Sequence, residues 1–178
     1  MSQGLRWLIV LGASVLLSAC FISDKPLIAP ADADYPIADG AHFAVWKLDP
    51  GGKRVGEAEH VTVTRAGADY VYSLRDETPV HGLMNEIAPG TFIVMGRDAT
   101  KPGKATYAVL RKDGTSWLRY APNCSDFARL AATHGKSRAD FHIAQSGNDC
   151  AFPSYADLKA AMEMHLQFAT PNGEYVAE

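Results

Sequence analysis

The sequence predicts a mainly β, α+β domain, in which an antiparallel meander closes into a barrel or folds into a sandwich, with one short and one longer C-terminal helix. Between residues 41 and 120, apolar and polar residues alternate in short runs with a period of two. Turn signals rich in Gly, Pro and Asp separate these runs at intervals of about eight to twelve residues, which is typical of barrels and sandwiches. After Pro122 the period becomes helical. The pattern is compatible with both a barrel and a sandwich.

The predicted strands are short and bounded by turn residues. They cover residues 41–48, 61–64, 70–74, 83–87, 91–95, 106–111 and 116–120. The clearest hairpin joins the last two runs, because Asp113-Gly114 between them can adopt the positive φ angles of a tight turn. No fixed-period repeat is visible, which disfavours a solenoid or a propeller.

The carboxyl-terminal third predicts two helices. Residues 125–132 form the short one, with Asn123 or Ser125 as its cap. Residues 154–168 form the longer one, because Ser154 opens a capping box and apolar residues then recur at helical spacing. We expect a short strand near 141–144 between them, and we expect the longer helix to cover one end or face of the sheet.

Length and composition indicate a single folded domain. The chain has 178 residues, 47% of them hydrophobic, and a formal net charge of −3. A mildly acidic balance without basic runs provides no electrostatic surface for nucleic acid. We therefore expect no nucleic-acid partner.

A leader precedes this domain. Arg6 is followed by an apolar run from residue 7 to residue 17, which is shorter than the roughly 20 residues that a transmembrane helix needs. The run ends in Leu17-Ser18-Ala19-Cys20, which resembles the lipobox of bacterial lipoproteins. Ser18 and Ala19 are small enough for a peptidase cleft, and Cys20 supplies the thiol for a diacylglycerol thioether.

The resemblance covers residues 1–20 and implies where the protein works. It implies cleavage before Cys20 by the lipoprotein signal peptidase, lipidation of Cys20, and a membrane anchor in the cell envelope. Phe21 follows the cysteine, whereas an inner-membrane retention signal known in some bacteria has Asp there, so the resemblance favours the outer membrane, facing the periplasm.

These features divide the chain into three parts. Residues 1–19 are the signal peptide, residues 20–39 are the lipidated cysteine with a spacer rich in Pro, Asp and Ala, and residues 40–178 are the globular domain. The spacer shows neither helical nor strand periodicity, so we expect an extended segment that lifts the domain from the lipid surface.

Cys124 and Cys150 are the thiols that remain once Cys20 is lipidated, and an oxidising compartment favours a disulfide between them. The alternative is that Cys124 is a nucleophile with His134 or His142 as its base. No family signature surrounds Cys124, and the presence of a second cysteine favours pairing.

Metal and cofactor sites are weakly indicated, and we assign none. The spacing of Cys124, His134, His142 and Cys150 matches none of the close-paired zinc patterns. Soft ligands for copper are present at Met84, Met162, Met164 and His165. Methionine on a helical apolar stripe is more often a core residue than a ligand.

Hydrolase signatures are absent from the sequence. Asp76-Glu77 and the pair Glu57 and Glu59 bring carboxylates together, but the second pair is expected on a solvated strand face. Most aromatic residues of the strands are expected in the core rather than on a recognition surface: Trp46, Tyr70, Tyr72, Phe92, Tyr107, Trp117 and Tyr120.

The leading hypothesis is therefore a non-enzymatic envelope lipoprotein whose β domain binds a macromolecular partner: a cell-wall component, an envelope protein such as a subunit of an envelope complex, or an exported enzyme that it inhibits. The first alternative is a lipocalin-like carrier that holds a small apolar ligand inside a closed barrel. The second is an envelope hydrolase or metal-binding protein. A continuous apolar cavity favours the carrier, an exposed apolar patch the partner-binding module, and a cleft with converging His and carboxylate groups the enzyme.

Overall fold

The computed structural model describes residues 21–75, 77–98 and 103–178, so the lipobox lies outside the described residues. Their strands are β1 (Phe21–Ser23), β2 (Ala41–Leu48), β3 (Arg54–Ala66), β4 (Asp69–Leu74), β5 (Val80–Ala88), β6 (Thr91–Asp98), β7 (Ala105–Asp113), β8 (Ser116–Tyr120), β9 (Ala144–Ser146), β10 (Asp149–Ala151) and β11 (Gly173–Ala177). The helices are α1 (Cys124–Thr133) and α2 (Tyr155–Phe168), with 3-10 turns at Pro30–Asp32 and Arg138–Phe141.

Eight of these strands close into an antiparallel barrel. The order around it is β6-β5-β4-β3-β2-β11-β8-β7, and a pairing between β6 and β7 completes the ring. Strands β2 to β8 form the expected meander, whereas β11 arrives after both helices and pairs with β2 on one side and β8 on the other. The predicted fold class is confirmed, and the sheet closes as a barrel.

Two hydrophobic clusters lie on opposite sides of the barrel wall. On β6, Phe92 belongs to the cluster inside the barrel, while the next residue, Ile93, belongs to the cluster beneath the helices. The inner cluster also contains Tyr70, Tyr72 and Trp117. The aromatic residues expected in the core are buried, except that Trp46 is half-buried beneath the Arg54 guanidinium, 5.3 Å from the ring centroid.

Helix α2 packs its apolar side against the outer face of the barrel. Leu158, Ala161, Met162 and His165 are its buried residues and recur at helical spacing. The Ser154 side chain accepts a hydrogen bond from the Asp157 amide, so the predicted cap is confirmed. The expected position of this helix over the sheet is thereby also confirmed.

The segment at residues 21–39 differs from the extended spacer that the sequence suggests. Phe21 is fully buried, and β1 pairs with β7 on one side and with β10 on the other. Ile28 and Ile37 are buried as well, and the Tyr70 hydroxyl donates a hydrogen bond to the Ile37 carbonyl at 2.8 Å. These apolar residues cover surface that the barrel would otherwise leave exposed, so the segment belongs to the folded domain.

The strand expected near 141–144 is displaced. The 3-10 turn Arg138–Phe141 occupies the start of this range, and His142 follows in the left-handed region with φ of 48°. A hairpin of β9 and β10 comes next and joins the sheet through β1. The buried side chain of Phe141 therefore reflects packing against α1, where its ring contacts Phe127 with centroids 5.4 Å apart, rather than strand alternation.

Candidate functional site

The two cysteines of the domain form the expected disulfide. Their sulfur atoms are 2.00 Å apart, and the bond joins the first turn of α1 to β10. Cys124 therefore has no free thiol for nucleophilic catalysis. The two proposed bases lie in other contacts: His142 Nδ1 is 2.7 Å from an Asp157 oxygen, and the His134 ring stacks on Phe168 at a centroid distance of 3.5 Å.

The other sequence candidates do not converge either. Within residues 21–75, 77–98 and 103–178, no group of three or more His, Cys, Asp and Glu side chains is placed to hold a metal ion. Met84 lies in the barrel interior and Met162 beneath the helices. Glu57 is exposed, but Glu59 alternates with Val61 and Val63, which places it on the inner face of β3 rather than on the expected solvated face. Asp76 lies outside the described residues.

An open groove lies between α1, the end of α2 and the turn that joins β2 to β3. It is open to solvent and has a volume of about 520 Å³. Its lining, which we call the helix groove, comprises Leu48, Asp49, Pro50, Ala121, Pro122, Asn123, Asp126, Arg129, Leu130, Thr133, His165, Phe168, Ala169, Thr170, Pro171 and Asn172. Half of these side chains are apolar, and Phe168 is 46% exposed. The groove therefore offers apolar surface to an incoming molecule.

Asn172 makes the floor of the helix groove rigid. Its side chain accepts from the Ala121 amide at 3.2 Å and donates to the Ala121 carbonyl at 2.7 Å. Its backbone amide donates to the Arg119 carbonyl, and its carbonyl accepts from the Leu48 amide. One residue thus ties the end of β8 to the end of β2. We expect the groove to keep its shape when a ligand enters.

The α1 wall carries the polar groups of the groove. The Asn123 side chain accepts from the Ser125 and Asp126 amides, as the predicted cap requires. The Asp126 carboxylate and the Arg129 guanidinium form an exposed ion pair at 3.0 Å. Because the charges of Asp126 and Arg129 cancel, Asp49 gives the lining a net negative charge.

His165 lies at the base of the wall between the two helices. It is 9% exposed, and its Nδ1 atom is buried without a hydrogen-bond partner among the described residues. Burial lowers the pKa of His165 to about 4, and the nearby Asp126 charge offsets only part of this shift. The imidazole is therefore neutral at neutral pH, and no carboxylate within ion-pair distance among the described residues prepares it to act as a base.

This burial predicts a pH-dependent stability. In the unfolded chain His165 titrates near 6.5, so between pH 6.5 and pH 4 the unfolded chain binds a proton that the folded chain does not. The free energy of unfolding is therefore expected to decrease as the pH is lowered. This residue accounts for a loss of about 2 kcal/mol between pH 7.5 and pH 5. Urea unfolding at both pH values measures it. In His165→Gln this part of the loss should disappear, and parallel pH profiles for the two proteins would contradict the assignment.

Comparison with known proteins assigns this chain to no family. A scan against protein-family models, a search of curated proteins and a search of solved structures each found no match to this chain. The site thus depends on its own geometry. No helix of the described residues is long and apolar enough to cross a membrane.

Proposed function

We propose that the protein is a lipid-anchored envelope lipoprotein, attached through Cys20 to the outer membrane and facing the periplasm, and that its barrel domain is a non-enzymatic binding module. The helix groove receives an extended segment of a second envelope protein. The observation that carries the proposal is the groove itself, an open concavity of about 520 Å³ with a lining that is half apolar and a hydrogen-bonded floor.

The chemistry of the lining indicates the kind of segment. The exposed ring of Phe168 and the half-buried side chain of Leu130 favour apolar side chains, because covering such surface releases water. Asp49 accepts hydrogen bonds from the Gly51 and Lys53 amides but has no ion-pair partner among the described residues, so its charge favours a basic residue next to the turn between β2 and β3. The partner segment is therefore expected to be apolar with a basic residue at one end.

Helix α1 connects this groove to the proposed anchor. Phe127 on its buried side contacts Phe21, with ring centroids 5.1 Å apart, while Leu130 lines the groove. Phe21 directly follows the lipidated residue, and consecutive Cα atoms are about 3.8 Å apart. A lipid on Cys20 would therefore follow one residue from a side chain that packs on α1, which favours a partner close to the bilayer.

The barrel interior supports the binding module over a carrier. Aromatic side chains pack inside it, and one cavity that the described residues line there has a volume of about 40 Å³. Pockets for small organic ligands usually measure about 300 to 1,000 Å³. The buried disulfide and the unassisted His165 provide no observation that favours a reaction, and we assign none.

Site-specific photo-crosslinking tests this proposal in the native host. A photoreactive phenylalanine analogue at position 168 should capture one envelope protein through an extended apolar segment, identified by mass spectrometry of the cross-linked peptide. Leu130→Asp should reduce capture about tenfold, since it buries a charge in the contact. The Cys20→Ser chain should lose membrane attachment and be recovered in the soluble periplasmic fraction.

Position 35 provides the matched control. Tyr35 is also an exposed aromatic residue, and its hydroxyl bonds to Ala68 in the turn between β3 and β4, at the opposite end of the barrel from the groove. The same analogue there should capture nothing. Equal capture from positions 35 and 168, or capture that Leu130→Asp does not reduce, would contradict the groove as the binding site.

A further inference from the structure

A polar cluster lies inside the barrel, apart from the helix groove. Arg119 on β8 is 6% exposed, and its Nε atom is buried without a hydrogen-bond partner among the described residues. Its side chain lies across Gly173 of β11, where an added Cβ atom would be 3.0 Å from that Nε. Glycine at this position leaves the space that the guanidinium occupies.

Two tyrosines complete the cluster. Tyr72 and Tyr175 are each 4% exposed, and the Tyr72 hydroxyl has no partner among the residues described. The Tyr72 ring lies close to Gly82, where an added Cβ would be 3.0 Å from a ring carbon. Burial raises the pKa of both hydroxyls, so at neutral pH both are protonated and able to donate a hydrogen bond.

These three side chains line one small cavity. Its volume is about 40 Å³, and its opposite wall is formed by small residues of β6 and β7, among them Gly96 and Ala108. A cavity needs roughly 10 to 15 Å³ to hold one water molecule, so this space admits a single small ion or a few waters and no larger ligand.

The charge in this cavity favours an anion. A buried guanidinium without a counter-charge is strongly unfavourable, and no carboxylate of the described chain lies within 4.0 Å of Arg119. The Glu59 carboxylate acts on Tyr175 from the inner face of β3, and its Oε2 atom is itself buried without a hydrogen-bond partner among the described residues. The Arg119 guanidinium donates a hydrogen bond to the Tyr175 hydroxyl, which keeps its own O–H to donate. Arg119 Nε and the Tyr72 and Tyr175 hydroxyls therefore offer donors to one space, which is what an anion requires.

We propose that the barrel interior binds one small monovalent inorganic anion of the size of chloride, held by the Arg119 guanidinium and the hydroxyl groups of Tyr72 and Tyr175. The anion supplies the counter-charge that Arg119 lacks and the acceptor that Tyr72 lacks. The site shares no lining residue with the helix groove and involves neither helix.

Bromide is the probe, because it resembles chloride and gives an anomalous X-ray signal. Crystals of the Cys20→Ser protein grown in sodium bromide should show one anomalous peak in this cavity, within hydrogen-bond distance of Arg119 Nε and Tyr72 Oη. In solution, bromide should raise the melting temperature saturably when it replaces gluconate at constant ionic strength, since gluconate is too large to enter.

Two variants separate binding from general stabilisation. Tyr72→Phe removes one oxygen atom and is expected to raise the bromide dissociation constant about tenfold, and Arg119→Met should abolish the saturable effect. Glu59→Gln should lower the dissociation constant, because it removes the opposing charge. Ordered water without an anomalous peak, a peak at crystal concentration without a difference between bromide and gluconate, or equal bromide effects in wild type and Tyr72→Phe would each overturn the proposal.

Discussion

Replacing Phe21 with alanine is expected to lower the free energy of unfolding by about 3 to 5 kcal/mol. The side chain is fully buried, and its ring packs on Phe127 and Phe152 at centroid distances of 5.1 and 4.7 Å. Removing the ring leaves a cavity between β1, α1 and the end of β10 that the rigid barrel wall cannot fill. Guanidinium unfolding of the Cys20→Ser domain with and without the substitution measures the loss.

Lys25→Ala is the matched control in the same segment. Lys25 is exposed, so its substitution should change the free energy of unfolding by no more than about 0.5 kcal/mol. If Phe21→Ala has as small an effect as this control, residues 21–23 are not part of the core, and the extended spacer that the sequence suggests would be restored.

Removing the disulfide is expected to have the second large effect. The double variant Cys124→Ala/Cys150→Ala should lower the free energy of unfolding by about 3 to 4 kcal/mol, because a cross-link across 26 residues restricts the unfolded chain. Alanine avoids the buried hydroxyl groups that serine would introduce, since both cysteines are buried. Replacing both residues also leaves no free thiol.

The same unfolding measurement in the Cys20→Ser background tests the disulfide. Mass measurement after alkylation without reductant should show no modified cysteine in the parent protein and two after reduction. Two alkylated thiols before reduction, or a loss of less than about 1 kcal/mol in the double variant, would contradict a stabilising cross-link.

The hairpin of β7 and β8 is the element that the sequence predicts best. The predicted runs at 106–111 and 116–120 agree with the strands Ala105–Asp113 and Ser116–Tyr120, and Gly114 has the positive φ of 59° that the turn requires. All the information for this hairpin is local. The choice between barrel and sandwich, by contrast, depends on the pairing of β6 with β7 and on β11.

Strand β11 shows why the sequence does not distinguish a barrel from a sandwich. It has five residues, and its partners β2 and β8 are distant in the chain, so no local period identifies it. Strand β1 has three residues and escapes detection for the same reason. In both, long-range burial overrides weak local preference.

The candidate sites depend even more on distant contacts. The helix groove combines the turn after Leu48 with residues of both helices, and nothing in the sequence brings these together. Arg119 did carry a signal: it shares the alternation phase of the buried Trp117, which places a cation on the inner face of β8. A charged residue in phase with a buried aromatic residue in a predicted barrel strand therefore merits attention as a site.

The position of β11 also sets an order of events during biosynthesis. A ribosome completes β2 to β8 before it makes β11, yet β2 and β8 each keep one hydrogen-bonding edge open until that strand inserts between them. Closure thus waits for nearly the whole polypeptide and joins segments of large sequence separation, which slows folding. Under the proposed export, such a delay would keep the chain unfolded during translocation, because the barrel cannot close before β11 has emerged.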